Sequence, residues 1–277
     1  MEEKKKGKAL WIALGAAAVL IAGVCVWFFL VKQPYDTAVA NFQAAVQTIE
    51  AENANLDQVI GGAQALVDAG EPPFDETVLS DAEAAIAAAR QAKRAVPEMP
   101  EKTEEINAET QKLTQPLDYS AVAAAVQDAQ EALEASILLM KQVTNPPEDF
   151  IVERLEGLAS IDGVQAVTED HDPNGNLNKQ GGYTAAVYFA SPLIDPATVY
   201  GEDIVDKGTE GGGCVEVYAT VEDAEARNTY LSAFDSSGLL NSGSHTVLGT
   251  IVIRTSDKLT ASQQKDLEQE IWNALLA

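Results

Sequence analysis

Residues 9–31 read ALWIALGAAAVLIAGVCVWFFLV, 23 residues without a single charge. A helix rises about 1.5 Å per residue, so this stretch reaches about 34 Å, enough to cross a hydrocarbon core of about 30 Å with some tilt. Trp11 stands near one end and Trp27, Phe28 and Phe29 near the other, where aromatic side chains favour the lipid–water interface. The stretch is expected to be a single N-terminal transmembrane helix. It leaves residues 1–8 as a short tail and puts the rest of the chain on the far side of a membrane.

Lys4, Lys5, Lys6 and Lys8 precede the span against Glu2 and Glu3, while Lys32 and Asp36 follow it. That lysine excess predicts a single-pass protein of the cell membrane, N-terminus cytoplasmic and C-terminus extracytoplasmic. Two rival readings use the same residues. A cleaved secretory signal has a shorter apolar region, of about 7–15 residues, although Ala38-Val39-Ala40 has the small residues of a cleavage site. Lipid attachment at Cys25 would want a small residue where Val24 stands, and the apolar run continues well beyond it. The anchor is the preferred reading, with Cys25 a small hydrophobe inside it.

The formal charge of the chain is −25. Residues 1–32 hold five Lys and two Glu, so the remainder carries 13 Lys+Arg against 41 Asp+Glu, a formal −28. Such a field repels nucleic acid and anionic lipid, and neither is expected as a partner. Only Cys214 lies beyond the apolar stretch, so the body has no internal disulfide and rests on packing. Cys214 reads as a half-buried strand residue.

From Tyr35 the apolar positions follow a regular seam: Tyr35, Val39, Phe42, Val46, Ile49, Asn53, Leu56, Ile60, Ala63 and Val67, spaced alternately by four and three. This is the heptad pattern of a helix packed on other helices, and Asn53 is the one polar member, a type of residue that fixes register. Gly70 and the following Glu71-Pro72-Pro73 end the helix. A second helix is expected from about Glu76 to Arg94, carrying Leu79, Ala82, Ile86 and Ala89. Pro97 and Pro100 interrupt it before Ile106, Thr110 and Leu113 resume the seam. A third begins near Asp118, with Tyr119, Val122, Val126, Leu133, Ile137 and Met140, and ends at Asn145-Pro146-Pro147. Residues 35–145 thus read as an antiparallel three-helix bundle, a stalk between the anchor and whatever follows.

After Pro147 the pattern changes. A short helix at 149–158 precedes four expected strands, at 164–168, 183–189, 214–220 and 246–254, rich in β-branched and aromatic residues. Thr220 with Asp223 predicts a helix N-cap, with Ala224, Leu231 and Phe234 on the buried face. Thr260 with Gln263 predicts a capping box for the last helix, facing inward through Leu267, Ile271, Ala274 and Leu275. Residues 148–277 are expected to form an α+β domain with a mixed or antiparallel sheet and helices on one face.

Two stretches resemble known families. AQALVDAG and FDETVLSDAEAAI, within about 42–95, resemble the helical FIVAR-type modules of Gram-positive surface proteins, with Val78 or Leu79 where a Trp is common. That resemblance implies a surface helical module. TEDHDPNGNL with GGYTAAVYF (168–189), GCVEVYATVEDAEARNTYL (213–231) and TIVIRTSDKLTASQ (250–263) resemble an uncharacterised extracellular α/β domain of Gram-positive membrane-anchored proteins, over about 164–270. It implies placement and fold, and brings no activity.

Candidate chemistry is sparse. In the loop DHDPNGNLN (170–178), Asp170, Asp172 and Asn174 followed by Gly175 match the start of a calcium loop, with Asn176 and Asn178 as further oxygen donors. Position 12 is Gly181 where an EF-hand places a bidentate Glu, so the loop reads chiefly as a long turn rich in local Asx hydrogen bonds, with calcium a weak candidate. His171 and His245 are the only histidines, and Ser244 adjoins the second, but no nucleophile elbow surrounds Ser242-Gly243-Ser244. Gly208–Gly213 lacks the Lys-Ser/Thr of a phosphate loop and reads as a flexible connection. Arg227 and Arg254 read as salt-bridge partners within an acidic domain. The expectation is a non-enzymatic, membrane-anchored cell-surface interaction or structural protein that needs no cofactor, with a cell-envelope or extracellular protein or glycan as its partner. The alternatives are an extracytoplasmic ligand-binding or sensor ectodomain and, behind it, an envelope hydrolase whose site is assembled from His171, Asp170 and loop residues around 208–213.

Overall fold

The computed structural model describes residues 2–235 and 243–277. The described elements are α1 (Glu2–Trp27), α2 (Gln33–Ala69), α3 (Thr77–Ala92), α4 (Thr103–Leu113), α5 (Ser120–Gln142), α6 (Glu148–Leu155), β1 (Gly163–Ala166), β2 (Tyr183–Ala190), α7 (Ile204–Lys207), β3 (Gly212–Tyr218), α8 (Val221–Ser232), β4 (His245–Leu248), β5 (Ile251–Thr255) and α9 (Ala261–Leu276). The fold class is α+β. Two compact units divide the chain. One takes the residues up to Gly70 with Ser80–Glu131, the other Glu71–Leu79 with Ala132–Ala277.

In the first unit, α1 passes through one π-helical turn, Phe28–Lys32, directly into α2. The Gln33 N–H reaches back five residues to the Phe28 carbonyl. Pro34 supplies the reason: it has no N–H to give and its ring crowds the carbonyl four residues before it, which a π turn accommodates. Every side chain from Leu14 to Val31 is exposed. The helix is long and apolar enough to cross a membrane, and none of its apolar window is buried, as the core helix of a soluble protein would be.

The heptad seam of α2 is its packed face. Phe42, Ile49, Leu56, Ile60 and Ala63 are buried, and Tyr35, Val39, Val46 and Val67 are partly so. The partners change along the helix. Ala38, Phe42, Ala45 and Ile49 pack with Ile106 and Leu113 of α4, whereas Leu56, Ile60 and Ala63 pack with Ile86 and Ala89 of α3 and Val126 of α5. The small alanines of α3 permit that close approach. Asn53 is half-buried between the two clusters. Its amide donates to the Arg94 carbonyl at 2.9 Å and accepts from the Tyr119 hydroxyl at 2.7 Å, which in turn accepts from the Arg94 N–H at 2.6 Å. Gly70, in the left-handed conformation (φ 65°), closes α2.

The second unit is built on an antiparallel sheet, five-stranded among the described residues, in the order β1-β2-β3-β5-β4. The single strand expected over 246–254 is instead the hairpin β4–β5. The turn is Gly249-Thr250, where Gly249 has φ 60° and a side chain would strike the Val143 carbonyl. The expectation of helices on one face is also corrected. Val215 and Val217 of β3 face a core with Ile151 and Leu155 of α6 and Leu267, Ile271 and Leu275 of α9. Cys214 and Tyr218, alternating with them, lie in a second cluster with Ala224 and Leu231 of α8 and Val205 of α7. Both alternating sets of the central strands are largely apolar, so both faces are buried. Each fully buried Leu or Ile contributes about 1.5–3 kcal/mol.

The glycine run is structured, not a flexible connection. Gly208–Gly211 forms a 3-10 turn and Gly212-Gly213 opens β3, where a side chain on Gly213 would meet the Phe189 ring and the Arg254 carbonyl. Thr220 caps α8 through the Asp223 N–H, and Thr260 with Gln263 forms the capping box of α9, as the sequence predicts. The core of this unit also takes in Val143, whose carbonyl accepts from the Thr250 N–H at 3.0 Å.

Candidate functional site

The centre of the site is a buried charge. Period-two alternation along β3 puts Glu216 on the same face as Cys214 and Tyr218, fully buried. An isolated carboxylate there would cost several kcal/mol, and the surrounding residues answer it. Arg227 of α8 donates through Nε to Oε2 at 2.8 Å and through Nη2 to Oε1 at 2.9 Å. Arg254 of β5 donates through Nη1 to Oε1 at 2.9 Å, and the Tyr218 hydroxyl donates to Oε2 at 2.9 Å. Burial alone would push the carboxyl pKa up, but Arg227 and Arg254 outweigh it and hold it below its ordinary value. Burial pushes the adjacent Cys214 thiol well up, so it is an inert, fully buried thiol rather than a half-exposed one. The Arg254 Nε, also buried, has no hydrogen-bond partner among the described residues.

Over this network lies an open cleft of about 440 Å³, between the loop after β1 and the exposed side of α8. Asn174, Asn176, Tyr218, Asp223, Arg227 and Tyr230 line it, with the backbone of Gly181 and Gly182. The loop is held from inside by Asp172. Its carboxylate accepts the N–H groups of Asn174 at 3.0 Å, Asn176 at 2.6 Å and Leu177 at 2.8 Å, and also the Tyr183 hydroxyl. Burial opposes the charge on Asp172, but these hydrogen bonds prevail and lower its pKa. The Asn174 amide donates to the Tyr188 hydroxyl at 3.0 Å, and the Asn178 amide to Glu169 at 3.3 Å. Of the five calcium-candidate residues, Asp172 therefore spends both oxygens on the loop itself. Asn174 and Asn178 are turned to neighbouring side chains, and the side chains of Asp170 and Asn176 make no described hydrogen bond.

His171 points elsewhere. Its Nε2 lies 2.9 Å from Asp206 Oδ1 and its Nδ1 3.6 Å from Asp203 Oδ2. The hydrogen bond with Asp206 raises the His171 pKa. Among the described residues these three form the one group of His, Cys, Asp or Glu side chains close enough to share a metal ion. Both ring nitrogens are already matched to carboxylates, as in an ion-paired imidazolium. Ser244 and His245 do not form a nucleophile–base pair. The Ser244 hydroxyl donates to Glu268 at 2.7 Å, while His245 contacts Asn228 at 2.6 Å and Asp235 at 3.2 Å. Ser242 lies outside the described residues.

Arg227 and Arg254 serve as internal salt-bridge partners, as their acidic surroundings suggest. Glu216 escaped sequence reasoning. The available signal was one Glu inside the apolar run GCVEVY, together with two of the three arginines (Arg154, Arg227, Arg254) of residues 148–277. The chain matches no family model, no curated protein and no solved structure.

Proposed function

We propose that this chain is a membrane-anchored, non-enzymatic binding protein of the cell surface. Residues 9–31 cross the membrane once with residues 1–8 cytoplasmic. The helices of residues 35–70 and 80–131 act as the stalk, in place of the full 35–145 bundle, and residues 132–277 with 71–79, rather than 148–277 alone, form the extracytoplasmic unit that meets the partner. The observation that carries this reading is the apolar stretch Leu14–Val31, exposed along its whole length and continuous with a helix of the acidic body. A span without buried residues needs lipid around it, and the lysines before it favour the cytoplasmic side. The resemblance of residues 164–270 to domains that follow a membrane segment, and of 42–95 to a helical surface module, belongs to the same reading. Among the functions open to such a protein, ligand binding is favoured over a purely structural role by the polar cleft beside Arg227. Calcium at Asp170–Asn178 is at most a weak accessory.

The test is a C-terminal epitope on the full-length protein in cells whose wall has been removed. Antibody should label it without permeabilisation, and the protein should resist alkaline extraction from membranes. An epitope reached only after permeabilisation would overturn the orientation, and release by alkali would overturn the anchor.

A further inference from the structure

The cleft beside α8 has a chemistry narrow enough to name a ligand class. Its walls mix donors and acceptors that the fold leaves unused. Asp223 gives Oδ2 to Thr220 and keeps Oδ1. Arg227 commits Nε and Nη2 to Glu216 and keeps Nη1. Asn174 commits its NH2 to Tyr188 and keeps its carbonyl, and the Asn176 side chain has no hydrogen bond among the described residues. A phosphate or carboxylate, which only accepts, would meet the Asp223 oxygen. An ammonium, which only donates, would meet the Arg227 guanidinium. Hydroxyl groups both donate and accept and satisfy such a wall in either direction.

The charges point the same way. Asp223 and Arg227 stand one helical turn apart on α8 and offset each other, while the body around them carries a formal −28, from 13 Lys+Arg and 41 Asp+Glu beyond residue 32. That field disfavours a polyanion. Tyr230 adds a flat apolar surface. It is 57% exposed, with the Arg227 guanidinium 5.5 Å from its ring centroid and Phe234 edge-on at 5.0 Å. An aromatic face suits the C–H side of a pyranose ring. The cleft volume of about 440 Å³ lies within the usual range for small-ligand sites. Its two walls are preset, the loop by Asp172 and the helix by the Glu216 network, so little ordering is left for a ligand to impose.

We propose that this cleft binds a short neutral saccharide, stacked on Tyr230 and hydrogen-bonded by Asn176, Asp223 and Arg227. The inference deepens the reading above, since an extracytoplasmic head faces envelope and surface glycans. It is tested on purified protein, so an error in membrane placement would leave the binding result unaffected.

The experiment uses the full chain in lipid nanodiscs, which avoids sugar-headed detergents. It is screened against neutral di- to tetrasaccharides of hexoses and N-acetylhexosamines, with sialylated and phosphorylated sugars and short peptides in parallel. Hits are titrated by calorimetry. Saturable binding of a neutral saccharide is expected, weakened at least about tenfold in both Tyr230→Ala and Asn176→Ala. Both positions are exposed, and unchanged melting of the two variants separates lost contacts from lost fold. No neutral saccharide bound, binding indifferent to both substitutions, or binding only of charged sugars or peptides would each overturn the proposal.

Discussion

Glu216 on β3 and Arg254 on β5 meet at 2.9 Å although they are not opposite in the ladder: Glu216 is paired with Val252 and Arg254 with Cys214. The diagonal pairing, completed by Arg227 from α8, leaves one carboxylate shared by two guanidinium groups inside the domain. Removing the carboxylate strands both cations. Glu216→Ala is expected to destabilise the unit by about 3–5 kcal/mol, in the range for breaking a buried pair. Urea unfolding followed at Trp272, the one tryptophan beyond the apolar stretch, measures it. A loss under about 1 kcal/mol, the scale of an exposed pair, would contradict the account.

The same pair sets an acid limit. The two arginines overcome burial and hold Glu216 below its ordinary 4.5. The unfolded chain then takes up the proton first, so stability rises with pH across this window. The contribution is complete above the ordinary carboxylate value and is lost as pH falls through the lower folded value. Asp172, likewise depressed, adds to the slope. Denaturation curves at stepped pH should show this fall in the wild type and a shallower one in Glu216→Gln. Parallel slopes in the two proteins would remove Glu216 from the explanation.

The loop after β1 is held by Asp172 with its own backbone and Tyr183, which leaves its oxygens committed. Asp172→Asn should cost about 1.5–3 kcal/mol, as for hydrogen bonds to a charged group. Calcium should change melting little. Saturable calcium binding tighter than about 10 μM, abolished by Asp170→Asn with Asp172→Asn, would show instead a sensor-grade ion site.

The domain edge lies earlier than the proline pair at 146–147. Val143 is fully buried in the second unit, the Asn145 N–H donates to Thr250 Oγ1 at 2.6 Å, and the Gln142 amide to the Leu275 carbonyl at 2.6 Å. A fragment of residues 132–277 should therefore melt cooperatively and well above one of residues 148–277, which forfeits Val143, worth about 1.5–3 kcal/mol of burial, and these bonds. Equal melting temperatures would place the edge at Pro147.

What could be read from the sequence was local. The α2 seam, the Gly70 stop, the Thr220 cap and the Thr260–Gln263 capping box all depend on residues within a few positions of one another, so spacing alone reveals them. The β4–β5 hairpin was missed because its turn interrupts a continuous β-branched run with a single Gly249, whose need for glycine comes from Val143, more than a hundred positions away. The cleft was half legible. Asp172, Asn174 and Asn176 announced a ligand-rich loop, but their spacing cannot tell that Asp172 turns inward. The Glu216 network joins residues from three elements, and the partners of His171, Asp203 and Asp206, come from beyond β2. Register and helix docking decide those pairings, and neither is written in any one stretch.

The central claim is a body held outside the cell by an uncleaved span. It is tested most directly by adding protease to wall-free cells that carry an N-terminal tag, and weighing the tagged fragment. The account expects the body to be digested and a membrane-embedded piece holding residues 1–31 to survive. A tag destroyed with the body, a body untouched until the cells are lysed, or a released mature chain beginning near Asn41 would contradict it.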